Sequence, residues 1–180
     1  DADATAVLRL KIYHAGGAMA LSEIVPVLEN FGFLVQEEMP TAVAGASPAF
    51  IHDFLLNLKD GSDGAAVLHR AEPIAKAIVE VLSGKAENDA FNQLMGAAAL
   101  DHRAIVWLRA WFRYLKQTGM TYSMPTVVEA MRKAPDAARA LIALFCTRHA
   151  HDQAADADTL EADFAAALGA VKAVPESCSP

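Results

Sequence analysis

The chain has 180 residues, enough for one well-filled core or two small ones. Apolar residues make up 54% of it, with alanine foremost, which favours helix; a net charge of −7 argues against a general nucleic-acid binder. Two cysteines, Cys146 and Cys178, make neither a disulfide framework nor a metal site. Cys146 lies in the apolar run Leu141–Cys146 and is expected to be a small core residue. Asp1–Leu10 has no charged start leading into an apolar segment, and the longest apolar run, Ala140–Cys146, is too short to cross a bilayer. The expectation is a soluble, cytoplasmic protein without membrane contact.

Val7–Tyr13 alternates, with Leu8, Leu10 and Ile12 on one side and Arg9, Lys11 and Tyr13 on the other, which predicts a half-buried strand. His14–Met19 contains Gly16-Gly17 and reads as a loop. Ser22 is expected to cap a helix that buries Ile24, Val25, Val27, Leu28 and Phe31, with Pro26 in its first turn and Gly32 at its end. Phe33–Glu37 and Phe50–Leu58 are predicted strands, and Pro40–Pro48 a loop between them. After the turn-rich Lys59–Gly64, a helix runs to about Ser83, and Pro73 either kinks it or marks its start near Glu72. Strand–helix–strand–strand–helix is the order of a split βαβ, ferredoxin-like sheet that lacks its last strand.

Asn88 is expected to cap a short helix carrying Phe91, Leu94, Met95 and Ala98. Asp101 is a good N-cap for the next helix, where Ile105, Leu108, Phe112 and Leu115 share one face, widened by Trp107 and Trp111. Arg109, Arg113 and Lys116 repeat at i, i+4, i+7 on another face, and Gly119 is placed to end the helix. Further helices are expected over Ser123–Ala134, Pro135–Ala150 and Thr159–Val174, with a polar break at His149–Asp156. The predicted fold class is therefore α+β, mainly α: a small N-terminal sheet followed by a multi-helix bundle. The expected division is 7–84, 85–174 and a frayed end at 175–180.

No catalytic constellation is visible. Gly16-Gly17 lacks the third glycine of a dinucleotide fingerprint, and no Walker pattern exists. His149-x-His151-Asp152 does not share a helix face and lacks zinc spacing, so solvated helix-end histidines are the simpler account. His52 and Asp53 are neighbours on a strand and point to opposite faces, a poor acid–base pair. Ser22, Ser123, Cys146 and Cys178 have no neighbouring base in sequence to activate them. The expectation is no catalytic, cofactor-binding or metal residue in this chain.

Charge is uneven along the chain. Residues 103–148 carry 8 basic and 2 acidic groups, a net of +6, whereas residues 1–102 carry 6 basic and 14 acidic groups, a net of −8. Internal neutralisation between helices is the plain reading of this, and a basic surface for a partner or a nucleotide phosphate the sharper one.

The segment Glu87-Asn88-Asp89-x-Phe91-Asn92-x-Leu94, then Leu108-Arg109-Ala110, Tyr114-Leu115-x-Gln117-x-Gly119 and Tyr122-Ser123, resembles the large multidomain bacterial NAD-specific glutamate dehydrogenases. Leu10-Lys11-Ile12-Tyr13, Leu21-Ser22, Pro26-x-Leu28-Glu29-Asn30-x-Gly32, Ile51-His52-Asp53-Phe54 and Ala140–Phe145 agree, so the likeness covers residues 7–150 in order. Ala99 and His102 depart from it, standing where the family pattern suggests glycine and tryptophan. The resemblance implies a parent enzyme that oxidises L-glutamate to 2-oxoglutarate and ammonia with NAD. It also implies that this piece, an ACT-like part followed by a helical segment, lies before the catalytic domain and holds no cofactor itself.

Two roles follow from the resemblance. As a structural module, the chain would pack against other domains or subunits of a homo-oligomer, with Arg109, Arg113 and Lys116 as the candidate interface. As a regulatory module, its His14, Gly16, Gly17 and Ser22 loop would take an amino-acid effector. A reading of another class is a free-standing helical interaction module unrelated to glutamate metabolism.

Overall fold

The computed structural model describes residues 7–45, 47–59, 64–149 and 157–172. The chain divides into two compact units, Asp1–Gly96 and Ala97–Pro180. The architecture is α+β and mainly α, with a small antiparallel sheet in the first unit and helices in the second.

In the first unit the strands are β1 (Leu8–Ala15), β2 (Phe33–Val43) and β3 (Ala49–Leu58), in the order β1-β3-β2. Helix α1 (Leu21–Asn30) joins β1 to β2, and α2 (Gly64–Leu68) and α3 (Ala71–Leu82) follow β3. Side chains alternate along a strand, so Leu8 on β1 and His52, Phe54 and Leu56 on β3 turn to one face and are buried there. Ile24, Val27 and Leu28 of α1 and Ile74, Ala77, Ile78 and Val81 of α3 complete this core. Burial of each large aliphatic side chain contributes roughly 1.5–3 kcal/mol.

The β1–β3 register runs unbroken from Leu8 opposite Leu56 to Ala15 opposite Ala49. β2 is different, because its register shifts between Val35 and Glu37. One extra residue there flips the alternation, so that Phe33 and Val35 before the bulge and Glu38 after it lie on the core side.

Several sequence expectations need correction. Pro40–Val43 belongs to β2 rather than to a loop. Pro40 is tolerated because β2 is an edge strand and Pro40 faces His52 at a position whose amide would point outward. Helix α1 starts a residue before Ser22; its N-cap is Ala20, with no side-chain cap bond. Pro26 therefore sits inside the helix, beyond the four amides that lack a partner, and leaves the Ser22 carbonyl without its ladder donor. Pro73 lies in the first turn of a separate helix, so the chain starts anew at Ala71 rather than kinking. Asp89, not Asn88, caps the next turn, a 3₁₀ segment at Ala90–Gln93, by accepting from the Phe91 amide at 3.0 Å. Asn88 instead accepts from the Asn30 side chain at 3.0 Å.

A short helix α4 (Leu94–Ala97) leads to the second unit, which holds α5 (His102–Gln117), α6 (Met124–Lys133), α7 (Pro135–His149) and α8 (Ala157–Lys172). Asp101 caps α5 as its residue type predicts, accepting from the Ala104 amide at 2.7 Å. Ser123 caps α6, with Pro125 in the first turn. Trp107 and Trp111 clasp Phe145 of α7 edge-on, at 4.9 and 4.8 Å between ring centroids. α8 packs along α7, tied by the Arg148–Glu161 ion pair.

Ile105 and Leu108 are buried, but Leu115 is 45% exposed and does not extend their stripe. Cys146 is exposed rather than a core residue, while Cys178 lies outside the described residues. The expected break at residues 149–156 and the frayed end also fall largely outside them.

Candidate functional site

The β1–α1 connection is the most built part of the first unit. Gly16, at φ 108, turns the chain and donates its amide to the Pro48 carbonyl at 2.8 Å. His14 Nδ1 is 2.8 Å from the Gly17 carbonyl, closing the loop on itself. Two residues on, the Met19 amide donates to His52 Nε2 at 3.2 Å. That nitrogen must then be unprotonated, so the proton sits on Nδ1, which is 2.9 Å from Glu38 Oε1. His52 is 2% exposed and lies between Phe50 and Phe54, each ring centroid 6.3 Å away.

His52 and Asp53 do point to opposite faces. Asp53 lies on the open face of the sheet, where it takes Arg9 at 2.9 Å and Lys11 at 3.5 Å. The anchoring role of His52 escaped the sequence reading. Its signal was present: His52 occupies the apolar half of an alternation between Phe50 and Phe54, and a buried polar ring needs partners. The bulge that delivers Glu38 to the same side left no sequence signature.

Of the four candidate loop residues, His14, Gly16 and Gly17 are brought together, whereas Ser22 is exposed within the first turn of α1. The candidate basic face is also only partly assembled. Arg109 is 3% exposed and turned into the protein, so it does not belong to a solvent-facing basic surface. Arg113 and Lys116 are exposed, beside Tyr114 at 65% exposure and Leu115. Arg103 lies 4.8 Å over the Trp107 ring.

Among the described residues no group of three or more His, Cys, Asp or Glu side chains could hold a metal ion. No helix among them is long and apolar enough to cross a membrane. His149 is exposed, its ring 4.5 Å from Phe145, and His151 and Asp152 lie outside the described residues.

The family model of the glutamate dehydrogenase ACT3 domain matches residues 1–69, and that of glutamate dehydrogenase helical motif 3 matches residues 86–151. The chain belongs to the large glutamate dehydrogenase family. It is 38% identical over 143 residues to an NAD-specific glutamate dehydrogenase of Pseudomonas aeruginosa, covering 78% of this chain and 9% of that protein. A protein of the same name from Halomonas elongata is 35% identical over 140 residues, 77% of this chain and 9% of the relative. The Mycobacterium tuberculosis relative, again an NAD-specific glutamate dehydrogenase, is 30% identical over 154 residues, 81% of this chain and 9% of its own length. The chain thus spans about a tenth of the proteins it matches, in a region whose models describe an ACT domain and a helical motif. Both parts of the chain match models of this one family.

Proposed function

We propose that the chain is a non-catalytic module of an NAD-dependent glutamate dehydrogenase, whose task is domain packing and oligomer assembly. The parent protein oxidises L-glutamate to 2-oxoglutarate and ammonia with NAD, and the cofactor is bound by other parts of it. The observation that carries the structural role is the His52 anchor: the loop that would receive an effector has its Met19 amide taken by the protein's own imidazole. The exposed Arg113, Tyr114, Leu115 and Lys116 supply surface of the kind that packs against a neighbour, with an aromatic and two cations together.

The experiment is Arg113→Glu/Lys116→Glu in the full-length protein, followed by sedimentation. Dissociation of the oligomer at higher protein concentration than wild type is expected, and an unchanged assembly overturns the interface. The second reading, an amino-acid effector at His14, Gly16 and Gly17, is favoured by the ACT3 match. Calorimetry of the full-length protein with single amino acids tests it; heat that disappears in Gly17→Val would support it over the purely structural role.

A further inference from the structure

β1 is an edge strand with no strand on its outer side among the described residues. The Gly16 amide bonds to Pro48, and bonded pairs recur every second residue in an antiparallel ladder. The even-numbered residues of β1 therefore exchange bonds with β3. The amides and carbonyls of Arg9, Lys11 and Tyr13 point away from the sheet, toward the free edge.

The two edges of the sheet are built differently. β2 carries Pro40, a bulge at Gln36 and adjacent Glu37 and Glu38, the devices that prevent a further strand from adding. β1 has eight residues in continuous register and neither proline nor bulge. The order β1-β3-β2 is that of a split βαβ sheet whose fourth position, beside β1, is vacant. A cavity of about 70 Å³ lies between Leu8 and Leu10 of β1 and Leu68, Ala71, Ile74 and Ala75 of α2 and α3. Leu68 of its lining, at 61% exposure, leaves apolar surface open to water.

We propose that the β1 edge receives, antiparallel, an extended segment of the same protein from outside these 180 residues, completing a four-stranded sheet. This rests on the reading of the chain as a module of a longer enzyme, and the matched relatives hold most of their length outside the matched region. The chemistry of the segment follows from what it would meet. Its inward side chains are apolar and fill the cavity beside Leu8 and Leu10. On the open face it carries Asp or Glu, because Arg9 and Lys11 there share the single carboxylate of Asp53. A second copy of β1 meets this demand poorly: its own open face repeats Arg9 and Lys11 and has no acid to offer.

Hydrogen exchange of the full-length protein, resolved by residue over 8–15, is the test. Arg9, Lys11 and Tyr13 amides are expected to exchange at least about 100-fold more slowly than unprotected amides. In Lys11→Pro, which removes an amide that β3 does not use, protection of Arg9 and Tyr13 is lost while that of Leu10 and Ile12 persists. A photo-crosslinking residue at Leu68 should capture a peptide from outside residues 1–180. Fast exchange at Arg9, Lys11 and Tyr13 beside protected Leu10 and Ile12 overturns the proposal, and capture of residues 8–15 of another copy overturns the occupant. Glutamate-dependent NADH formation by the same preparation reports on the module reading separately.

Discussion

His52 holds Met19 by its Nε2 at 3.2 Å and Glu38 by its Nδ1 at 2.9 Å, so one buried ring joins the β1–α1 loop to the bulged edge strand. Removing it orphans a backbone amide and a half-buried carboxylate and leaves a void between Phe50 and Phe54. His52→Ala should destabilise the first unit by about 2–4 kcal/mol. Urea denaturation of the purified protein measures this, and the Gly16–Gly17 loop should become the first segment to exchange its amides.

Ala99 holds φ at 53, the left-handed region that costs a side-chain-bearing residue roughly 1–2 kcal/mol. Arg139 supports the turn by donating to the Ala98 carbonyl at 3.2 Å. Glycine fits this turn without strain. Ala99→Gly should raise stability by about 0.5–1 kcal/mol, the relief of strain exceeding the added entropy of the unfolded chain. A thermal melt in which the midpoint falls would contradict this.

Asp101 is the sole acidic side chain at the start of α5 and accepts from Ala104 at 2.7 Å. Asp101→Ala should cost about 1 kcal/mol, and Asp101→Asn much less, because the amide oxygen can still accept. Equal losses for the two would show that the cap bond contributes little.

The Glu129 carboxyl is held below its ordinary value of 4.5, chiefly by the side-chain bond from Arg132 at 2.8 Å and then by the charges of Arg132 and Lys133. A lowered carboxyl pKa means the stabilisation is present above the unfolded value and is lost as pH falls below 4.5 through the folded value. The pair is half exposed, so the effect is a few tenths of a kcal/mol. Comparing wild type with Glu129→Gln at pH 7 and pH 3 should show a difference at the former that vanishes at the latter.

Local rules were the legible part of this chain. Alternation located β1 and β3, residue type located the cap Asp101, and glycine located the ends of α1 and α5. Tertiary circumstances were not legible. Pro40 reads as a loop residue until β2 is known to be an edge strand. Arg109 belongs to a basic stripe by spacing, yet it is buried while Arg113, four residues on, is exposed. The His52 anchor depends on a bulge two residues before Glu38, and nothing in the sequence of β2 announces that bulge. The proposed division of labour between assembly and chemistry rests on resemblance rather than on spacing.

The most direct measurement is NADH formation by the full-length protein with L-glutamate and NAD, across a range of protein concentration, for wild type and Arg113→Glu/Lys116→Glu. The account predicts glutamate-dependent activity in both, with the variant losing it at about tenfold higher protein concentration, an assembly defect of about 1.4 kcal/mol, and regaining the wild-type kcat when concentrated. A folded full-length protein without glutamate-dependent activity, or a variant whose kcat stays depressed however concentrated, would contradict the account.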